Sequence, residues 1–131
     1  MIVHRTRPCV AQALVEFALV VPLLVGLSLG ILQLMLYAHA SDVVSSSVQE
    51  GARLAAEDGR GLEEGYARTR VMLTAGLGDS LESLTLDGSM DADGVRVRVD
   101  AGLVSILPLG TRLPVHAEAW VARERFRPGG R

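Results

Sequence analysis

The stretch Phe17-Ala18-Leu19-Val20-Val21-Pro22-Leu23-Leu24 begins a run of 22 residues, ending at Ala38, that contains no formal charge. The run exceeds the ~18 apolar residues that mark a membrane-spanning helix. At ~1.5 Å per residue a helix of this length reaches ~33 Å, enough to cross a hydrocarbon core of ~30 Å. The sequence therefore predicts a membrane span over residues 17–38, and one carboxylate, Glu16, lies directly before it.

The charges on either side of this run predict its orientation. His4, Arg5 and Arg7 precede it, and no arginine or lysine follows before Arg53. Basic residues near the ends of a span favour the cytoplasmic side of the membrane. We therefore expect residues 1–11 to form a cytoplasmic leader and the C-terminal domain to lie outside.

Three residues inside the span favour packing against another helix. Pro22 removes one backbone hydrogen bond and should loosen or kink the helix. Gly26 and Gly30 are four residues apart, so they share one face and allow a second backbone to approach closely. Glycine is also common in membrane helices in general. The pattern alone leaves both interpretations open.

Helical periodicity continues beyond the predicted span. Small and apolar residues recur at Val44, Val48, Ala52 and Ala55, which places them on one face of a helix. The serines at 45–47 are a weak point, because serine competes for helical backbone bonds. We expect one long helix over residues 12–58, half in the membrane and half packed on the outer domain.

The rest of the chain predicts a small domain over residues 59–123. Gly59-Arg60-Gly61 breaks the helix, and a second helix follows over residues 62–77. Its expected apolar side consists of Tyr66, Val71, Met72 and Leu73.

Alternation with a period of two then indicates strands. The strands are predicted around Leu84–Leu86, Val95–Val99 and Val115–Val121, with a turn over residues 88–94 and a short apolar run at 103–107. The fold class is therefore α+β, with an antiparallel sheet of three or four strands and a flexible tail at 124–131. Asp87, Asp91 and Asp93 weakly suggest calcium, but a hairpin turn explains them better.

The front of the chain resembles a known family. Gln12-Ala13-Leu14-Val15-Glu16-Phe17-Ala18-Leu19-Val20, together with Pro22, is similar to the N-terminus of TadE-like proteins. The later stretch Gln49-Glu50-Gly51-Ala52-Arg53-Leu54-Ala55-Ala56 is similar to the Glu-Gly-Ala-Arg stretch of the same family. These are pilin-like components of the tight-adherence (Flp-type) pilus system of bacteria, so the resemblance implies a pilin-like fold.

The resemblance also implies processing and roles for single residues. A prepilin peptidase would cut between Ala11 and Gln12, which makes Glu16 the fifth residue of the mature chain. The family pattern has glycine before the cut, and this chain has Ala11, the smallest replacement. Glu16 and Phe17 would set the register of packed subunits, and Pro22, Gly26 and Gly30 would serve helix packing. From the residues alone, Glu16 could equally be an interfacial charge that reaches the headgroups.

The function implied is structural: a minor pilin or pseudopilin-like protein in assembly of a tight-adherence pilus or related secretion machinery. Its expected partners are the membrane, other pilin-like subunits and a prepilin peptidase. Its expected location is the bacterial cytoplasmic membrane, as a single-pass protein that also enters a surface pilus in one version of the hypothesis.

Two other interpretations compete with this one. Ala38-His39-Ala40 before Ser41 is a signal-peptidase pattern, and a cut there would release a small secreted domain. The chain could also remain an uncleaved single-pass anchor with an outer domain.

An enzyme is not expected, because His4, His39 and His116 are scattered and no nucleophile motif accompanies them. We expect no cofactor, metal, small-molecule substrate or nucleic acid, since a net charge of −2 gives no case for nucleic-acid binding. The single cysteine, Cys9, cannot form an intramolecular disulfide.

Overall fold

The structure, a computed structural model, describes residues 8–105 and 112–123. Its helices are α1 (Pro8–Ala56) and α2 (Leu62–Leu77), and a short 3-10 turn (Gly78–Ser80) follows α2. Its strands are β1 (Leu81–Met90), β2 (Gly94–Leu103) and β3 (Leu113–Ala122). The predicted α+β fold is confirmed: a long N-terminal helix, a second helix and a three-stranded antiparallel sheet. The predicted tail at 124–131 and most of the predicted leader lie outside the described residues.

Helix α1 is continuous over 49 residues, through Pro22 and through the three serines. It begins at Pro8, four residues before the expected start, because proline is tolerated in the first turn of a helix. Its serines do not interrupt it. The hydroxyls of Ser46 and Ser47 both donate to the carbonyl oxygen of Val43, at 3.0 and 2.6 Å, so they bond within the helix. The helix ends at Ala56, and Gly59, with a φ of 79°, reverses the chain.

The sheet is an antiparallel meander in the order β1-β2-β3. β1 is longer than the predicted strand at Leu84–Leu86, because it pairs with β2 along almost its whole length, from Leu81 opposite Leu103 to Met90 opposite Val95. The hairpin turn is correspondingly shorter than residues 88–94. The Asp91 amide donates to the Gly94 carbonyl at 2.9 Å and closes it.

The core lies between α1 and the inner face of the sheet. The predicted stripe on α1 is confirmed, since Val44, Val48, Ala52 and Ala55 are all 0% exposed. They pack in one cluster with the alternating valines of β2, which are also fully buried. Burying a valine side chain fully is worth about 1.5–3 kcal/mol, so these residues dominate the stability of the domain.

Helix α2 crosses α1 with almost no space between the backbones. A Cβ added at Gly51 would collide with the Thr69 hydroxyl and lie 2.8 Å from the Gly65 carbonyl oxygen. A Cβ added at Gly65 would lie 2.7 Å from the Gly51 carbonyl oxygen. The Thr69 hydroxyl itself donates to the carbonyl oxygens of Gly65 (2.9 Å) and Ser47 (3.3 Å). Two glycines and one hydroxyl therefore join the helices.

The buried face of α2 includes the expected core residue Leu73 and otherwise differs from the prediction. It consists of Gly65, Thr69, Leu73 and Leu77, and the expected core residue Val71 is 61% exposed. Close packing of the helices requires small residues at the crossing, which hydropathy does not reveal.

Tyr66 is half-buried and its hydroxyl lies over Gly88 of β1, where a Cβ would come within 2.9 Å of it. Burial raises the pKa of Tyr66, and the nearby carboxylates of Asp87 and Glu63 raise it further.

Candidate assembly surface on the long helix

Helix α1 has two halves with opposite surroundings. Nearly every side chain from Ala11 to His39 is exposed, whereas burial begins at Ala40, which is 3% exposed. In the described part of the chain, α1 is the one helix long and apolar enough to cross a membrane, and none of its most apolar window is buried. The exposed half is therefore compatible with a single-pass membrane anchor.

The predicted packing residues lie on the side of α1 that carries the domain. At ~3.6 residues per turn, residues 18 apart lie five turns apart on the same line of the helix. The pairs with this spacing are Pro22 and Ala40, Gly26 and Val44, and Gly30 and Val48. The second member of each pair is buried under the sheet or α2, so the first members lie on that same side, within the exposed half.

Glu16 shares this side and Phe17 does not. Glu16 lies 36 residues, or about ten turns, before the buried Ala52. Phe17, at the same spacing, aligns with the exposed Arg53 and is itself 68% exposed. At ~100° per residue, Glu16 lies ~80° from Gly26 and ~40° from Gly30 around the helix, but ~120° from Pro22. The aromatic ring of Phe17 lies ~140–180° from all three.

The glycines leave open space. A Cβ added at Gly26 or at Gly30 would meet nothing within 4 Å. Between them, the Ser28 hydroxyl donates to the Leu24 carbonyl oxygen at 2.8 Å, so this polar group is bonded within its own helix. The surface can therefore admit another backbone closely and holds no unbonded serine in the apolar region.

The predicted cleavage residues lie near the start of α1. The bond between Ala11 and Gln12 comes four residues after Pro8, and both residues are exposed. The first four amides of a helix have no partners within it, which makes the first turn its least stable part. Gln12 is one turn from Glu16, a spacing at which oppositely charged groups can pair.

The stretch at 49–56 is explained by the domain. Gly51 lets α2 approach, Ala52 and Ala55 are buried, and Glu50 pairs with Arg68 of α2 at 3.8 Å rather than with its neighbour Arg53. Each small residue in this stretch thus has a packing role.

Other candidate residues do not gather into a site. Among the described residues no group of three His, Cys, Asp or Glu side chains could hold a metal ion, and Asp91 and Asp93 lie at the β1-β2 turn. His116 lies 3.2 Å from Asp100 on the outer face of the sheet, and His39 is on α1.

A groove of about 270 Å³, which no sequence pattern indicated, lies at the junction of the two halves of α1. Its walls come from α1, the end of α2, β2 and β3, so no local stretch of sequence contains a signal for it. Its lining includes Gln33, Leu36, Tyr37, Leu77, Val104 and Leu113.

Comparison with known proteins gives one result. Residues 11–53 match the model of the family described as TadE-like protein. Neither the curated proteins nor the solved structures include a significant match. The matched residues cover the exposed half of α1 from Ala11 and the buried half as far as Arg53, including Gly51 at the contact with α2. The match covers about a third of the chain. It confirms the resemblance read from residues 12–24 and from the first part of the stretch 49–56, up to residue 53.

Proposed function

We propose that this protein is a pilin-like structural subunit, a minor pilin or pseudopilin, that acts in assembly of a tight-adherence pilus or related secretion machinery. One observation carries the proposal. The TadE-like match falls on a helix with one half fixed in the domain and the other exposed, and the exposed half has its carboxylate and glycines on one side. The role is structural rather than enzymatic.

Before assembly, the exposed half would span the cytoplasmic membrane with the N-terminus inside. The apolar side chains of residues 17–38 would face lipid, and the domain would sit on the outer surface. During assembly the same surface would leave the lipid and pack against helices of other pilin-like subunits. Van der Waals packing at small residues is what drives such contacts when lipid is as apolar as the side chains.

Glu16 would provide the register of that packing. A charged side chain at the membrane centre costs about 2.5–3.5 kcal/mol on insertion scales, so a carboxylate near the hydrocarbon gains from a positive partner. Cleavage by a prepilin peptidase before Gln12 would create an amine one turn from Glu16. That amine could pair with the carboxylate of its own or a neighbouring subunit, which would fix the axial position of one helix against the next.

A second candidate function, an uncleaved membrane anchor, has one observation in its favour. α1 is helical across the bond between Ala11 and Gln12, so the peptidase would have to unwind the first turn. Release of a secreted domain after Ala40 is less consistent with the fold. Ala40 is buried in the middle of α1, and a cut there would divide the helix that organises the core.

The N-terminus of the mature protein distinguishes these candidates. Intact mass and N-terminal sequencing of the protein purified from membranes or pili should give a start at Gln12. A start near Met1 would support the uncut anchor, and a start at Ser41 would support secretion.

The variant Glu16→Ala tests the register role. We expect it to enter the membrane normally and to lose most surface pili, counted by electron microscopy, because the amine loses its partner. Glu63→Ala, which removes an exposed carboxylate from α2, is the matched control and should leave pilus number unchanged. Normal piliation by Glu16→Ala would overturn the register role.

A further inference from the structure

The groove at the junction of the two halves of α1 has an apolar wall. One side of the groove is lined by Leu77 of α2, Leu113 of β3 and Val104. Val104 follows β2 directly and is held in place because its amide donates to the Ser80 carbonyl oxygen at 3.1 Å. Its side chain is nevertheless 54% exposed at the groove.

The other wall of the groove comes from the last two turns of the predicted span. Gln33, Leu36 and Tyr37 of α1 line it, and Leu36 and Tyr37 are 42% and 38% exposed. These residues are at the outer end of the uncharged run, which places the groove at the boundary between hydrocarbon and headgroups. The mixture of apolar and polar walls matches that boundary, where tyrosine is enriched in membrane proteins.

We propose that this groove holds the glycerol and upper acyl region of a phospholipid from the leaflet on the domain's side, so that the domain rests on the bilayer. The proposal rests on the membrane placement of α1 in the proposed function. Its supporting argument is continuity. The surface of α1 that would be covered by lipid over residues 17–38 runs into the groove through Leu36 and Tyr37 without a charged residue between.

The chemistry of the groove favours lipid. Apolar side chains from four elements line it beside the end of the predicted span, and a flexible acyl chain with its glycerol ester can follow a wall of that kind. Arg112, which precedes the groove residue Leu113 and pairs with Glu82 at 3.0 Å, provides a polar group close in the chain to the groove.

The test uses the full chain in lipid nanodiscs with one copy per disc. In a Cys9→Ser background, Val104→Cys carries an environment-sensitive fluorophore, and the discs contain phosphatidylcholine and phosphatidylglycerol with or without a nitroxide on the upper acyl chain. Val71→Cys is the matched control, because Val71 is similarly exposed (61%) but lies on α2 away from the groove. Leu24→Cys, within the span, reports the membrane placement itself. Both valines are exposed, so neither replacement should affect folding.

We expect the nitroxide lipid to quench most of the fluorescence at positions 104 and 24 and little at 71. Equal quenching at 104 and 71, or none at 104 with quenching retained at 24, would overturn the groove assignment and leave the proposed function untouched. A blue-shifted, unquenched label at 104 would indicate a protein occupant and would also overturn it. No quenching at 24 would overturn the membrane placement on which both proposals depend.

Discussion

Gly51 and Gly26 are glycines of the same helix, and the structure gives them opposite surroundings. A side chain at Gly51 would collide with the Thr69 hydroxyl and crowd the backbone of α2, whereas a side chain at Gly26 would meet nothing within 4 Å. In the half of α1 that packs on the domain (residues 40–56, the outer half), the small residue already has its partner within the chain. In the exposed half (residues 11–39, the inner half), the glycines have no such partner within the described chain. Their alignment with the domain side of α1 indicates where a partner would fit.

The two halves of α1 also differ in the surroundings of their apolar residues and their carboxylates. Both halves carry apolar residues, but those of the outer half are buried in the domain and those of the inner half are exposed. Both carry a carboxylate, Glu50 paired with Arg68 and Glu16 at the edge of the span. Substitutions in the outer half should therefore change the stability of the domain, and those in the inner half should change assembly.

The largest effect is expected at the helix crossing. Gly51→Ala should lower the free energy of unfolding by about 3 kcal/mol, the upper end for overpacking, because one of the obstructing atoms is a backbone carbonyl that cannot rotate away. Denaturant unfolding in detergent, followed by the fluorescence of Trp120, measures it. Gly26→Ala is the control and should leave the midpoint unchanged. Equal tolerance of both alanines would remove the distinction between the two halves.

The second largest loss of stability is expected at Val48, one of the buried residues on the domain side of α1. Val48→Ala removes two methyl groups from a fully buried site and should cost about 2 kcal/mol, including the cavity that remains. Val25→Ala removes the same atoms from a side chain that is 53% exposed, and the domain should unfold at the same denaturant concentration as the original. A comparable loss from Val25→Ala would mean that the inner half packs on the domain.

The Thr69 hydroxyl, where α1 and α2 cross, should contribute less to the free energy of unfolding. Thr69→Val keeps the shape of the side chain but removes its hydrogen bonds to the carbonyls of Gly65 and Ser47, and we expect a loss of about 1 kcal/mol. Thr74→Val, at an exposed position of α2, is the control for the change in helix propensity. If the two variants unfold at the same denaturant concentration, steric fit alone joins the helices.

The smallest loss of stability is expected at Glu50, the carboxylate that pairs with Arg68. Glu50→Gln weakens an ion pair that is long, at 3.8 Å, and largely solvated, so the loss of stability should be about 0.2–1 kcal/mol. Glu16→Gln should leave the unfolding of the domain unchanged and should alter pilus number instead. A loss of pili from Glu50→Gln without loss of stability would show that the outer half also contacts other subunits.

Sequence patterns predicted the elements that depend on local periodicity. The second helix was predicted at residues 62–77 and occurs there, because glycines lie at both of its ends. The alternation of Val95, Val97 and Val99 predicted a strand with one buried face, and all three are 0% exposed. Periodicity succeeds in these cases because each buried position holds a larger apolar residue than its neighbours.

Patterns failed where packing between elements decides the outcome. On α2 the buried positions include Gly65 and Thr69, whose low hydrophobicity does not predict a core position. The apolar Val71 is exposed. The ends of β1 were missed because they are fixed by pairing with β2 rather than by their own residues. Glu50 pairs with Arg68 of another helix, a partner that spacing along α1 does not indicate.

The candidate surface was only partly within reach of the sequence. The span, its glycines and Glu16 were apparent from residue types and spacing. Their common side became clear only because α1 is one uninterrupted helix past Ser45–Ser47, which allows the exposed half to be aligned with the buried half. The groove could not be predicted, since four separate elements form it.

The uninterrupted helix also has a mechanical consequence. α1 is ~74 Å long from its 49 residues, and no linker separates its two halves. An axial pull applied at Glu16 would therefore be transmitted along one helix into the core at Val44 and Val48, with Pro22 as the one proline on the way. Shifting the helix along its axis by one turn would therefore move the domain by the same ~5.4 Å, so an axial step taken at Glu16 is passed on to the domain in full.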